Sequence, residues 1–320
     1  MRKAFLSFLC LALAVCSAAA QTNPNRPVRV IVPFPPGGVA DVTARLIGQK
    51  LTDALGQQAV IENRTGASGT LGAEAAAKAA PDGYTLLMTT GDFITTPTLM
   101  PKMSFDPNKD LVPVAMIASA PLLLGAHAGG PIGSVQDLVA QAKAKPGTIA
   151  FSSPGTGTIN HLAVEWLAIE AGLKLLHVPY RGGVPAATAV AAGDVPIGAV
   201  TPSSAQSLID AGKIKPLALM TKARPSFAPA GWTTLADLGL AVDAELWVGL
   251  FVPAGTPPVI VSRLDAEVAR ILKDADVRKR LNDLGTEASS LSGSAFAARI
   301  SLDTARYARI ISQTGIKIEH

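Results

Sequence analysis

The 320-residue chain has only two cysteines, no cluster of basic residues and no long apolar run after its first twenty residues. Both cysteines, Cys10 and Cys16, lie in that opening segment. A chain that loses the segment has no thiol, which excludes a disulfide framework, a cysteine nucleophile and a zinc site with cysteine ligands. The formal charge is only +4, so nothing predicts a nucleic-acid partner. None of the later apolar runs is long enough to span a bilayer.

The first twenty residues predict a secretory signal peptide. Arg2 and Lys3 provide a basic start, residues 4–15 form an apolar stretch, and Ala18-Ala19-Ala20 resembles a small-residue cleavage site. Cleavage after Ala20 removes the two basic residues and lowers the formal charge from +4 to +2. We therefore expect an exported protein that begins at Gln21.

The remaining chain alternates predicted strands and helices, which is typical of an α/β fold. Residues 28–34 form an apolar run without regular polar alternation, as in a strand covered on both faces. A helix that ends at Gly56, a strand at residues 59–62, an alanine-rich helix and a strand at residues 85–89 follow. This β-α-β-α-β order predicts a parallel sheet with right-handed crossovers.

A second α/β unit, with predicted helices at residues 135–144 and 159–171, follows a crossing near Pro121. The return crossing is expected around residues 240–248, before a strand at residues 249–252. About 300 residues suffice for two compact domains. We expect one discontinuous domain, residues 21–122 plus 245–320, and a second domain, residues 123–244. Each domain is expected to contain a mixed, largely parallel sheet flanked by helices.

The first candidate binding segment is the proline-glycine loop (residues 33–38), which joins the first strand to a helix. The order of a strand, two prolines, two glycines and a helix predicts that the amides of Gly37 and Gly38 face a ligand. Unpaired donors and the helix dipole attract anions to such a helix N-terminus. Phe34 would supply an apolar wall. Asp41, one turn into the helix, is expected to be structural because its charge would repel an acid. Alternatively the segment is only a turn, since glycine and proline mark turns in general.

A second candidate is the serine-threonine loop (residues 152–158). Like the first, it contains proline and glycine and precedes a predicted helix, and it also contains hydroxyl groups. Pro154 interrupts helix formation, the glycines let the backbone approach a ligand closely, and the threonines add donors. The alternative is a helix cap made by Thr158 alone. The candidate ligand contacts in this region are Ser152, Ser153, Gly155, Thr156, Gly157, Thr158 and His161.

His161 begins the next predicted helix and could act in several ways. It could donate to a carboxylate or only brace the loop. Glu165 lies four residues later, a spacing that could hold a metal, but no third ligand lies nearby and we expect no metal site. A secreted serine hydrolase that uses Ser152 or Ser153 with His161 is a further alternative. The chain lacks a G-x-S-x-G motif and an evident carboxylate to orient the histidine, which weakens that hypothesis.

Other candidate contacts follow the remaining strands. Arg181 could form a bidentate salt link to a carboxylate, or it could point outward while the amides of Gly182 and Gly183 line the site. The other candidates at strand ends are Gly91, Tyr180 and Thr201.

The order and spacing of short motifs over essentially the whole mature chain resemble the solute receptors of tripartite tricarboxylate transporters, the Bug-type periplasmic binding proteins. No single motif is decisive, but together they are highly specific. The motifs are Arg26–Gly38 with Asp41 and Arg45, Ile61–Arg64, Ala80–Leu87, Ser153–Thr158 with His161, His177–Gly182, Val252–Pro257 and Gly315–Glu319.

The resemblance implies a two-domain Venus-flytrap fold, type II-like, in a periplasmic protein that is not an enzyme. It implies that a small carboxylate (a dicarboxylate, tricarboxylate, aromatic acid or acidic amino acid) binds in the interdomain cleft and is delivered to a membrane permease. We expect no cofactor, no nucleic-acid partner and a monomer. A sensor that presents its ligand to a membrane kinase is the alternative.

This chain departs from the family pattern after the third strand. Relatives often carry an Asn-Pro pair there, whereas this chain reads Gly91-Asp92-Phe93. A carboxylate at Asp92 could repel an acidic end of the ligand or pair with an ammonium group.

Overall fold

The computed structural model describes residues 24–100, 103–289 and 291–317, so the predicted signal peptide lies outside the described residues. Within these residues, eleven strands form two separate sheets, one in each of two lobes. No helix in the described ranges is both long enough and apolar enough to cross a membrane.

Strands and helices alternate as the sequence predicts. The strands are β1 (Val28–Val32), β2 (Ala59–Asn63), β3 (Thr85–Thr90), β4 (Leu111–Pro121), β5 (Leu123–His127), β6 (Ala150–Ser153), β7 (Leu176–Pro179), β8 (Ile197–Val200), β9 (Ile214–Leu219), β10 (Glu245–Pro253) and β11 (Glu287–Ala288). The helices are α1 (Val39–Leu55), α2 (Thr70–Ala77), α3 (Thr96–Leu99), α4 (Pro107–Asp110), α5 (Val135–Ala144), α6 (Ile159–Ala171), α7 (Gly183–Ala192), α8 (Pro202–Asp210), α9 (Pro258–Ile271), α10 (Ala275–Asp283) and α11 (Gly293–Thr314).

Apart from the edge strand β11, the two sheets share one strand order, although the sequence shows no internal repeat. The first sheet has the order β11-β4-β10-β3-β1-β2 and the second β7-β6-β8-β5-β9. In each, three strands pair in parallel, and the strand that enters from the other lobe, β10 or β5, pairs antiparallel on both sides. Both sheets are mixed, as predicted. Parallel pairing is less extensive than predicted because these entering strands run in the opposite direction.

Two crossings connect the lobes. The chain leaves the first sheet at Pro121 and enters the second at Leu123. It leaves the second sheet at Leu219 and returns at Glu245, which pairs with Pro121. We propose domain limits at 122/123 and 244/245, where sheet membership changes.

Most predicted bounds are close to the observed ones, and two differ for identifiable reasons. Helices α5 and α6 have the predicted ends. Strand β1 ends at Val32, before Pro33, because proline has no amide to donate to a sheet. Strand β10 begins at Glu245 and not at Gly249, because its first residues pair with β4. Long-range pairing of this kind has no local sequence signal.

Trp247 of β10 anchors the core where the lobes meet. Its side chain is completely buried, and its indole Nε1 donates to the Asp303 carboxylate at 3.1 Å. Its ring meets Phe93 and Phe296 edge-on, with centroid distances of 6.1 and 5.0 Å. This aromatic cluster holds the loop after β3, the return crossing and α11 together.

Candidate functional site

A cavity of about 280 Å³ lies between the lobes at the ends of several strands. Both lobes contribute to its wall, so a molecule inside would contact both. Of the predicted contacts, the wall includes Phe34, Gly38, Arg181, Gly182, Gly183 and Thr201. It also includes Asp92, which was expected to repel an acidic end of the ligand or to pair with an ammonium group. The wall residues that were not predicted are Pro35, Pro36, Val39, Ala40, Thr90, Pro154, Asn160, Val184, Pro185, Ser204 and Leu246.

Three helices begin at this wall. Gly38, Gly182 and Thr201 immediately precede α1, α7 and α8, and each lies in the short connection between a strand and the helix that follows it. The first turn of a helix carries unpaired amide donors and a partial positive charge, which favour an anion. The cavity wall is therefore suited to a negatively charged group.

Gly182 has a backbone conformation that would be strained in a residue with a side chain. Its φ is +115°, and a Cβ atom there would approach Pro35 Cγ of the other lobe at 3.6 Å. That distance is an ordinary van der Waals contact, so the positive φ and not the space is what favours glycine here.

Arg181 is the only cationic side chain of the cavity wall among the described residues. It is exposed, and it lies two residues after the end of β7, beside the two glycines at the start of α7. A guanidinium in this position offers several donors to a carboxylate. Arg181 and both glycines belong to the wall, so the guanidinium and the backbone of this segment are both candidates to contact a ligand.

The Gly37 amide of the proline-glycine loop already forms a hydrogen bond within the chain. Gly37 donates to the Asp41 carboxylate at 3.0 Å, and Arg45 and Asn63 donate to the same carboxylate at 3.1 and 2.9 Å. Burial alone would raise the pKa of Asp41, but these hydrogen bonds hold it below its usual value. Asp41 is structural, as expected. Gly37 binds this carboxylate instead of facing the cavity, which corrects its predicted role.

A second carboxylate of the chain occupies the N-terminus of α6. Asp92, which is 6% exposed, accepts a hydrogen bond from the Ile159 amide at 2.7 Å and another from the Thr90 hydroxyl at 2.7 Å. Thr95 donates to the Gly157 carbonyl at 2.8 Å, so two polar contacts join the lobes here. Burial raises the pKa of Asp92, against the two hydrogen bonds that favour its charged form.

The serines of the serine-threonine loop also face inward. Ser152 donates to the Ala186 carbonyl at 3.0 Å. The Ser153 hydroxyl donates to the Gly155 carbonyl at 2.9 Å and lies 2.7 Å from His177 Nε2. Both serines are completely buried, which excludes them from contact with a molecule in the cavity.

Thr158 and His161 hold the same loop in place. Thr158 donates to the Gly155 carbonyl at 2.8 Å and accepts from the His161 amide, which makes it the N-cap of α6. The Gly157 amide donates to His161 Nδ1 at 3.0 Å, and His161 Nε2 lies 3.6 Å from Glu165. Of the alternatives for His161, the structure therefore has it bracing the loop.

The remaining predicted contacts lie off the cavity wall. A Cβ atom at Gly91 would meet Ile159 Cδ1 at 2.6 Å, so this glycine serves the packing between the lobes. Ten predicted contacts in all lie off the wall, and these are Gly37, Gly91, Ser152, Ser153, Gly155, Thr156, Gly157, Thr158, His161 and Tyr180. Most of these residues form hydrogen bonds within the chain, because buried polar groups need partners there.

His161 and His177 are stacked, with ring centroids 3.5 Å apart and planes 10° apart. Burial, and then the neighbouring His161, lower the pKa of His177 to about 3. His177 is therefore neutral at physiological pH. The Ser153–His177 contact resembles a nucleophile–base pair, but the buried serine cannot reach a substrate. Among the described residues, no group of three potential metal ligands occurs.

Several wall residues were missed for different reasons. Ser204 lies one turn after Thr201 on α8, so its position follows from helix geometry. Leu246 belongs to the part of β10 that the sequence analysis assigned to the crossing, and no local pattern marks it.

Comparison with known proteins identifies the family of this chain. A family model described as tripartite tricarboxylate transporter family receptor matches residues 43–316. The chain belongs to this family. The match confirms the predicted resemblance and places the protein among solute receptors and not among enzymes.

Individual relatives of the receptor cover nearly all of it. BugT of Bordetella pertussis is 33% identical over 315 residues, which cover 98% of this chain and 96% of BugT. The structure of R. palustris Rpa4515 with adipate has a TM-score of 0.86 at 33% identity, covering 92% of this chain and 99% of that one. The periplasmic binding protein BugD has a TM-score of 0.84 at 27% identity, covering 92% and 100%. These similarities confirm the two-domain fold of a periplasmic binding protein.

Proposed function

We propose that the receptor captures a small carboxylate in the cavity between its lobes and delivers it to a membrane permease of the tripartite tricarboxylate type. The observation that carries this proposal is that α1, α7 and α8 begin at one cavity wall, beside Arg181. Helix N-termini and a guanidinium both favour a carboxylate over a neutral or cationic group. The adipate bound to Rpa4515 supports the same chemical class.

In this proposal the carboxylate is held by predicted contacts on the cavity wall: Gly38 and Gly183 offer backbone amides, and Arg181 offers side-chain donors. The Gly182 amide already donates to the Pro154 carbonyl at 3.1 Å and the Thr201 hydroxyl to the Ser204 hydroxyl at 3.1 Å, so these two residues shape the wall. Phe34 covers the apolar part of the ligand. Hydrogen bonds to a charged group contribute roughly 1.5–3 kcal/mol each, so a few of them offset the loss of ligand freedom.

Capture proceeds by closure of the lobes. Phe34 and Gly38 belong to the first lobe, whereas Arg181 and Thr201 belong to the second. A ligand reaches both sets of residues only when the lobes are closed, and this difference in affinity shifts the receptor towards the closed state.

Thermal unfolding of the mature chain, residues 21–320, against a panel of small carboxylates tests the binding function. A ligand that binds only the folded state stabilises it by about 2.7 kcal/mol at a hundredfold excess over Kd. Arg181→Gln should reduce the stabilisation. Arg278→Gln, which removes the same charge from an exposed site on α10, is the matched control and should not. The wild type is first unfolded and refolded to remove any copurified ligand. If no carboxylate then stabilises it, the proposal of carboxylate binding is wrong.

Delivery to a permease requires separate tests. The proposal includes export to the periplasm with cleavage after Ala20, which mass spectrometry of the periplasmic fraction measures. Deletion of the receptor should abolish uptake of the ligand that stabilises it. The liganded receptor should also capture permease subunits from membranes, whereas a sensor would capture a kinase ectodomain. Normal uptake in the deletion strain would contradict a role in transport.

A further inference from the structure

The cavity wall carries one ionisable side chain from each lobe, and the two have opposite charge. Arg181 comes from the second lobe and Asp92 from the first, and the described lining residues include no other Lys, Arg, His, Asp or Glu. Their charges cancel. The wall can therefore compensate one carboxylate with Arg181, whereas a second carboxylate would share the cavity with Asp92.

Asp92 can accept a further hydrogen bond from a ligand. A carboxylate has about four acceptor positions, and Thr90 and Ile159 occupy two of them. The side chain is almost completely buried, and burial raises its pKa, so the protein alone does not fully replace its lost hydration. A hydrogen-bond donor on the ligand would replace part of the hydration that the Asp92 carboxylate has lost.

Apart from these two groups the wall is mostly apolar. The remaining polar side chains are few, namely Thr90, Asn160, Thr201 and Ser204. Asn160 is directed partly to the protein, since its amide donates to the Ala199 carbonyl at 2.8 Å. The apolar residues are Phe34, Pro35, Pro36, Val39, Ala40, Pro154, Val184, Pro185 and Leu246. A hydrocarbon body fits this lining better than the polar body of a tricarboxylate does.

We propose that the ligand is a monocarboxylate with an apolar body and a hydrogen-bond donor at its far end, which binds Asp92. This inference rests on the proposed function, because it takes the carboxylate to be held by Arg181 and the helix N-termini. The donor is a hydroxyl or ammonium group. The volume of about 280 Å³ is at the lower end of the range of ligand pockets, which suits a small organic acid.

Four acids with six carbon atoms test the proposal, because they differ only at the far end. Isothermal titration calorimetry of the mature receptor would compare adipate, hexanoate, 6-hydroxyhexanoate and 6-aminohexanoate. We expect 6-hydroxyhexanoate or 6-aminohexanoate to bind at least about tenfold more tightly than adipate, a difference of about 1.4 kcal/mol. If adipate binds most tightly, the inference is overturned and carboxylate binding stands.

Two variants show whether Asp92 causes the preference. Asp92→Asn should strengthen adipate binding and weaken 6-aminohexanoate binding, each about tenfold. Asp41→Asn changes another buried carboxylate that accepts a backbone amide but does not lie on the cavity wall, and should leave the order of affinities unchanged. An unchanged order in Asp92→Asn overturns the inference.

The outcomes also separate this inference from the proposed function. If other carboxylates bind but none of the four acids does, the inference on ligand class is overturned and the proposed function stands. Absence of binding by every carboxylate in the wider panel overturns both.

Discussion

The carboxylate of Asp92 accepts a hydrogen bond from the amide of Ile159 at 2.7 Å, across the boundary between the two lobes. A side chain of the protein thus occupies the helix N-terminus that the sequence predicts as a ligand site. The ligand site proposed for this receptor lies instead where α1, α7 and α8 begin.

Removing this contact should destabilise the receptor. Asp92→Ala leaves the buried Ile159 amide without its acceptor, and an unpaired buried donor costs about 1–3 kcal/mol. Asp92→Asn keeps an acceptor oxygen and should lose less. Urea unfolding of both variants measures the difference. Equal stability of Asp92→Ala and wild type would mean that the contact contributes no net free energy.

The acid stability of the receptor should depend on His177. Its pKa in the folded protein is about 3, below 6.5 for the free side chain, because of burial and the neighbouring His161. Below about pH 6.5 the unfolded chain binds a proton that the folded chain does not. The free energy of unfolding therefore falls as the pH drops towards 3, by at most about 1.4 kcal/mol per pH unit.

Unfolding measured from pH 7 to pH 4 tests this dependence. His177→Gln should flatten the acid side of the stability curve. His127→Gln removes a histidine that contacts the Val190 carbonyl, outside the stacked pair, and should retain the wild-type slope. A wild-type slope in His177→Gln would contradict the assignment.

Thr158 should affect stability and not ligand affinity. Loss of an N-cap costs typically about 1 kcal/mol, so Thr158→Ala should lower the free energy of unfolding by about that amount. Its hydroxyl lies off the cavity wall, and affinity for a carboxylate should stay within about twofold of wild type. Thr158→Ser restores the cap and serves as the control. A large loss of affinity in Thr158→Ala would favour the ligand contact predicted from the sequence.

Gly182→Ala should weaken ligand binding because relief of its backbone strain would shift the neighbouring Arg181 and the Gly183 amide. The added Cβ atom is strained at φ +115° and faces Pro35 of the other lobe. Gly147→Ala has a similar strain, at φ +77°, but meets nothing within 4 Å. Both should lose about 1 kcal/mol of stability, whereas only Gly182→Ala should bind the ligand at least about threefold more weakly. Titration calorimetry of both variants checks this, and equal affinities would mean that Arg181 and the Gly183 amide keep their positions despite the strain.

Local patterns predict much of this receptor. The ends of α6 follow from a threonine cap at Thr158 and a glycine at Gly172, both of which act within a few residues. The loops that meet at the cavity were also predicted, because strand-to-helix loops gather at the carboxyl ends of parallel strands. Gly38, Gly182 and Thr201 are among the predicted contacts that lie on the wall.

Which donors remain available for a ligand could not be predicted in this way. The Ile159 amide meets a carboxylate 67 residues away in sequence, and the Ser153 hydroxyl meets His177, 24 residues away. A glycine-rich loop has the same sequence whether its amides face a ligand or another part of the chain.

The sequence by itself determined the α/β alternation, the helix ends and the positions of the loops, because propensities, caps and hydrophobic periodicity act over a few residues. Only the tertiary structure decided that Asp41 and Asp92 fill two predicted anion sites and that Asp92 shares the cavity wall with Arg181. The physical reason is that a buried donor takes whichever acceptor the fold brings within about 3 Å, however distant that acceptor is in sequence.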